Sequence, residues 1–138
     1  MEDLDIAVAA ARAGGAIVRA GFNRGVTAQY KRQFDPVTET DHASEAAVLS
    51  VIAEHRPDDA LLAEESGGTI PRGRLWIVDP LDGTVNFVHG IPQIAVSVAL
   101  WDGDRPLVGV IYDPLADECY SAASGLGAYL NQRPLSVS

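Results

Sequence analysis

From Ile94 onward the chain reads as a succession of short strands, and this pattern limits its fold more than any other. Ile94 to Trp101, Leu107 to Tyr112 and Cys119 to Ala122 are apolar, strand-forming runs separated by the turn signals Asp102-Gly103 and Asp113-Pro114. Ala128-Tyr129-Leu130, a turn over Asn131 to Pro134 and Leu135-Ser136-Val137 add two shorter pieces. Strands joined by turns this short pair antiparallel, so the second half is expected to form a meander. Such a sheet must bury a face against something, and the first half offers helices. The expected class is α+β, with helices packed on a mainly antiparallel sheet.

In the first half, Leu4, Val8, Ala11, Gly15, Val18 and Phe22 recur at steps of four and three, the spacing of one face of an amphipathic helix. Gly14 and Gly15 lie inside it, and each costs roughly 1 kcal/mol relative to Ala, so close helix packing or a local break is expected there. After Gly25 the rhythm changes to two: Val26, Ala28 and Tyr30 alternate with Thr27, Gln29 and Lys31, which predicts a half-buried strand. Asp35-Pro36 reads as a turn. A second helix is expected to begin at Thr40 or Asp41, to end before Pro57, and to show Ser44, Val48, Val51, Ile52 and His55 on one face. Two short buried strands are expected at 60 to 63 and 75 to 78.

Composition narrows the partners. The chain of 138 residues, 47% hydrophobic, suits one domain with a real core. A formal charge of -9 with no Lys/Arg cluster argues against nucleic acid and membrane surfaces as partners. Cys119, the single cysteine, reads as a structural thiol. No run approaches the roughly 18 apolar residues that a membrane span needs, and a cytoplasmic location is the resulting expectation.

The chemistry is concentrated in Trp76-Ile77-Val78-Asp79-Pro80-Leu81-Asp82-Gly83-Thr84, an apolar strand that ends in two carboxylates and a turn. A second apolar run, Leu61-Leu62-Ala63, ends in Glu64-Glu65-Ser66-Gly67-Gly68. Magnesium prefers hard oxygen donors and is commonly held by one or two carboxylates plus waters and phosphate. Asp79, Asp82, Glu64 and the Leu81 carbonyl supply such donors, with Asp79 placed to bridge two ions about 3.5 to 4 Å apart. Gly83 permits a turn that brings amides close to an anion, and a short helix starting near Thr84 would add to a phosphate seat. Taken singly, either acidic stretch is also an ordinary solvated turn. Two acid clusters at the ends of apolar strands are harder to explain without a cation. The strand-plus-Asp-x-Asp-Gly-Thr arrangement of haloacid-dehalogenase phosphatases is not matched: here the two aspartates are three residues apart and Pro80 stiffens the link.

In order along the chain stand Lys31, Asp35-Pro36-Val37-Thr38-Glu39-Thr40-Asp41, Glu64-Glu65-Ser66, Trp76 through Thr84, and Asn86-Phe87-Val88-His89-Gly90-Ile91-Pro92. This series resembles the inositol monophosphatase family of magnesium-dependent, lithium-sensitive phosphatases. The resemblance spans essentially the whole chain. It implies the amino-terminal half of an αβαβα sandwich, two or three magnesium ions, a homodimer and a small phosphorylated metabolite as substrate. It further implies that Glu64, Asp79 and the Leu81 carbonyl hold a first metal, Asp79 and Asp82 a second, and Glu64 with waters a third. Asp41 and Thr84 would orient the attacking water, the Gly83 and Thr84 amides would receive the phosphate, and Glu65 would support the metal ligands. Attack would be in line, without a phosphoenzyme.

The family continues into a second α/β domain whose Trp-Asp segment completes the second metal site, so residues 1 to 138 read as the amino-terminal domain alone. The favoured activity is hydrolysis of a polyol phosphate such as inositol 1-phosphate. The alternatives are histidinol phosphate, fructose 1,6-bisphosphate or 3'-phosphoadenosine nucleotides as substrate, or a noncatalytic metal-binding or dimerising module. Lys31 reads as an exposed strand lysine that can balance the site's charge, and His42, His55 and His89 as loop or helix-end imidazoles. Trp76 and Trp101 read as core or interface aromatics.

Overall fold

The computed structural model describes residues 1–28, 36–63 and 73–136. Helix α1 (Asp3–Ala28) carries Asp3 and Asp5 in its first turn, where negative charge complements the helix amides. Its inner face buries Ile6, Ala7, Ala10, Ala11 and Val18 completely. The helix runs through Gly14 and Gly15 without a break. At Gly14 an added Cβ would lie 2.6 Å from Val48 Cγ2 and 2.8 Å from Ser44 Oγ, and at Gly15 it would collide with the Tyr112 ring. Close approach is therefore what the two glycines provide, to a neighbouring helix and to the sheet respectively.

The first half of the strand expected after Gly25 is helical instead: Val26, Thr27 and Ala28 continue α1. Extending an existing helix adds a backbone hydrogen bond for each residue fixed, and at these three positions that outweighs the alternation. Gln29 to Asp35, including Tyr30 and Lys31, lie outside the described residues. Helix α2 (Pro36–His55) starts at Pro36, earlier than the expected Thr40 or Asp41. Proline suits a first helical turn, since its missing N–H is one that would have no helical partner there. Its buried face carries Thr40, Asp41, Ser44, Val48 and Ile52, and it ends before Pro57 as expected.

The strands are β1 (Ala60–Ala63), β2 (Arg74–Asp82), β3 (Ala95–Asp102), β4 (Arg105–Asp113), β5 (Glu118–Ala123), β6 (Gly127–Leu130) and β7 (Arg133–Leu135), with a one-turn helix α3 (Thr84–Val88) between β2 and β3. They form one seven-stranded sheet in sequence order. Only β1 and β2 run parallel; every later pair is antiparallel. The expected α+β class and meander are thus observed. The tight β6–β7 connection places Asn131 and Gln132 at φ 49 and 71, the two successive positive values of a type I′ hairpin.

Both long helices cover one face, which buries Trp76, Val78, Val96, Val98, Leu100, Val108, Val110, Tyr112 and Cys119. Burial raises the Cys119 thiol above its usual pKa, in keeping with a structural role. The other face leaves Ile77, Ile111, Tyr120 and Leu135 exposed, so β2 is covered on one side only, rather than buried as a short central strand, and Leu61 of β1, in register with Trp76, is itself exposed. The start of β2 is clamped by charge. Arg74 reaches Asp3 at 2.8 Å and Asp59 at 3.0 Å, and Trp76 Nε1 donates to Asp59 at 2.9 Å. Among the described residues no helix is long and apolar enough to cross a membrane.

Candidate functional site

The far end of β2 departs from regular pairing. Asp79 pairs with Ser97 and Asp82 with Ala95, so three steps on β2 oppose two on β3. The extra residue makes a β-bulge at Pro80-Leu81, and bulges are places where a strand tolerates proline and re-aims its side chains. The expected turn at Asp79 to Asp82 is therefore part of the strand itself, which runs four residues past the end at 78 expected from sequence. The last described pair between β1 and β2 joins Ala63 and Val78, one residue before the bulge segment begins at Asp79.

Two hydrogen bonds shape the bulge. Leu81 N–H donates to Asp79 Oδ1 at 3.3 Å, and Ser44 Oγ–H of α2 donates to the Pro80 carbonyl at 2.7 Å in a buried position. Pro80 and Leu81 are fully buried, Asp79 is half-buried and Asp82 is exposed. The segment thus runs from a core anchor to an open carboxylate. Gly83 follows at φ 93, ψ 41, and an added Cβ there would lie 2.8 Å from the Gln93 carbonyl oxygen. Both the positive φ and the close backbone approach require glycine. Thr84, exposed, opens α3, which is pinned by buried Phe87 packing edge-on to Phe22 at 6.1 Å. The Asn86 side chain donates to the Gln93 carbonyl at 2.8 Å, tying α3 to the loop that leads into β3.

Asp41 lies on the buried face of α2 at 7% exposure, three residues before Ser44 and on the same side of the helix. A carboxylate this buried is costly unless compensated, which is why such groups mark functional sites. The structure thus brings Asp79, Leu81, Asp82, Gly83 and Thr84 together at the bulge, with Asp41 on the helix packed behind it. Glu64 and Glu65 lie outside the described residues. Among the described residues no three carboxylate, imidazole or thiol groups gather into a cluster able to hold a metal unaided. The donors that are present suit magnesium: two carboxylates and a strand carbonyl, all hard oxygens, fall within the one or two carboxylates that ion usually takes from protein. His42 and His89 are exposed on α2 and after α3, and neither belongs to this group.

Two contributors were not assigned a role at the site from sequence. Spacing places Ser44 on a helix face and no more; a polar residue at a core position is the available signal. Asn86 anchors the loop, and nothing in its spacing indicates the Gln93 carbonyl as its partner.

The inositol monophosphatase family model matches residues 1–138. Inositol monophosphatase 1 of Solanum lycopersicum is 44% identical over 142 residues, covering 99% of this chain and 52% of the tomato protein. Inositol-1-monophosphatase of Synechocystis sp. is 45% identical, covering 98% of this chain and 48% of that protein. The solved inositol monophosphatase of Anabaena (Nostoc) sp. superposes with a TM-score of 0.83 at 45% identity, covering 98% of this chain and 49% of the other. The chain spans about half the length of the curated relatives it matches. With a family match along its whole length and a fold shared at this identity, the chain belongs to the inositol monophosphatase family.

Proposed function

We propose that the protein is a magnesium-dependent phosphomonoesterase acting on a small polyol phosphate, with inositol 1-phosphate the leading substrate. The observation that carries this reading is the bulge at the end of β2, which holds Asp79, Leu81 and Asp82 immediately before the left-handed Gly83 and the short helix that Thr84 opens. Asp79, Leu81 and Asp82, with Glu64, hold magnesium. Asp41 and Thr84 orient the attacking water, and the Gly83 and Thr84 amides receive the phosphate. Glu65 supports the ligands. Magnesium supplies electrophilic charge to the phosphate oxygens and the acidity that makes water a nucleophile at neutral pH. No side chain need form a covalent intermediate, since the aspartates are engaged as ligands.

The chain's share of its relatives' length bears on this proposal: the remaining half is expected to complete the second metal site and to contact the organic part of the substrate. Family membership alone leaves the ester open. One relative, from Aquifex aeolicus, is called fructose-1,6-bisphosphatase/inositol-1-monophosphatase at 39% identity. The test is phosphate release by the full-length protein from inositol 1-phosphate, histidinol phosphate, fructose 1,6-bisphosphate and 3'-phosphoadenosine nucleotides, with magnesium and with chelator. Release that requires magnesium and is fastest for inositol 1-phosphate is expected. Equal release in chelator overturns the metal role, and silence across the panel favours a noncatalytic module.

A further inference from the structure

We infer that Ser44, set in place by Gly14, is a positioning residue for the candidate metal ligand Asp79; this inference rests on the metal-binding reading proposed above. The argument turns on one peptide plane. The Pro80 carbonyl and the Leu81 N–H belong to the same rigid, planar unit. Its carbonyl end accepts the buried Ser44 hydroxyl at 2.7 Å, and its N–H end donates to Asp79 Oδ1 at 3.3 Å. Fixing one end fixes the other, so a hydroxyl on α2 determines where the N–H that steers the Asp79 carboxylate points.

The bulge is what makes this hold necessary. Pro80 and Leu81 together face a single residue of β3, Val96, between the Asp79–Ser97 and Asp82–Ala95 pairs. A residue displaced from the ladder loses regular strand partners, and a buried carbonyl then needs another donor. Ser44, with no exposed surface, is that donor. Its own position depends on α1, because an added Cβ at Gly14 would lie 2.8 Å from Ser44 Oγ and 2.6 Å from Val48 Cγ2. The chain of contacts therefore runs from Gly14 through Ser44 and the 80–81 peptide to Asp79.

The test compares magnesium affinity by calorimetry, amide exchange at Leu81 in metal-free protein, and melting temperature, in wild type, Ser44→Ala, Ser44→Thr and Ser44→Val. Threonine and valine share a shape, so strain from the added methyl is common to both and their difference reports the hydroxyl. Ser44→Ala is expected to bind magnesium about threefold to tenfold more weakly, with Leu81 exchange accelerated by a similar factor. Ser44→Thr is expected to bind more tightly than Ser44→Val by about the same ratio. Lowered melting with unchanged affinity and unchanged Leu81 exchange overturns the inference, because Ser44 would then be core alone. A wild type that binds no magnesium overturns the metal reading and this inference with it, an outcome distinct from variants that match a binding wild type. Should the Ser44 variants not fold, Gly14→Ala is expected to weaken magnesium by a similar factor through Ser44; unchanged affinity there overturns the inference.

Discussion

The tripeptide Asp-Pro-Leu occurs twice, at Asp79-Pro80-Leu81 and at Asp113-Pro114-Leu115, and the fold uses the two copies differently. In both, the proline is buried and the aspartate accepts from the leucine amide, at 3.3 Å in the first and 3.0 Å in the second. The local chemistry is the same; the surroundings are not. Asp113 ends β4, and its Oδ1 accepts a second amide, Ala116 N–H, at 3.1 Å, so it caps its own turn. Asp79 sits inside a strand at a bulge, where the next peptide is held by Ser44 of α2. Three residues on, the first copy has Asp82 and the second has Ala116, a carboxylate against a methyl group. The adjacent glycines of α1 divide between the two: Gly14 fits beneath Ser44, which holds Pro80, and Gly15 fits beneath Tyr112 and Pro114. The same short motif is held in a strand bulge by α2 in one copy and closes its own turn in the other.

The largest expected effect breaks the comparison directly. Asp79→Asn should weaken magnesium binding about a hundredfold, while Asp113→Asn, whose amide oxygen can still accept from the turn, should change it less than about twofold. Calorimetric titration of both variants decides the matter, and equal losses would make the two acidic segments interchangeable. Next in size is Gly15→Ala. Its methyl would meet the Tyr112 ring and lie 3.3 Å from Pro114 Cβ, so unfolding should become easier by about 2 kcal/mol in denaturant titration, with magnesium affinity unchanged. An affinity loss equal to that of Gly14→Ala would erase the distinction between the glycines.

The smallest effect concerns the opposite end of β2. Hydrogen bonding from Arg74 holds the Asp3 carboxyl below its ordinary value of 3.8, with Arg56 adding to the effect and burial opposing it. A lowered folded pKa means the contribution is complete above about 3.8, the unfolded value, and is lost as pH falls through the lower folded value. With Asp3 and Arg74 side chains still 27% and 33% exposed, Asp3→Asn should cost only about 1 kcal/mol at neutral pH, and nothing once acid has protonated the wild type. Melting curves across pH 2 to 7 measure this, at about those limits. Unaltered magnesium affinity in the same variant would show that the candidate site depends on α2 rather than on the Arg74 clamp.

Much of this was legible from residues. The meander from Ile94, the end of α2 before Pro57 and the α+β class follow from period, turn residues and the rule that short connections pair antiparallel. The acids of the candidate site were visible as hard donors at strand ends. The misreadings were local. Val26 to Ala28 open a strand-like alternation yet extend α1, since an existing helix gains a hydrogen bond with each residue it adds. Asp35-Pro36 has the residues of a turn, yet proline also suits a first helical turn, and local residue type does not separate the two.

What the sequence by itself determined is the set of elements and the donors they carry, because period, turn chemistry and side-chain type are local properties. What only the tertiary structure decided is how each Asp-Pro-Leu is held. That depends on a bulge at Pro80, visible only in the register of β2 against β3, and on Ser44, thirty-six positions away, reaching its carbonyl. It depends also on the close approach at Gly14. Partners so distant along the chain leave no mark in local spacing. They are set when the helices and sheet close on a common core and each buried polar group must find a match within it.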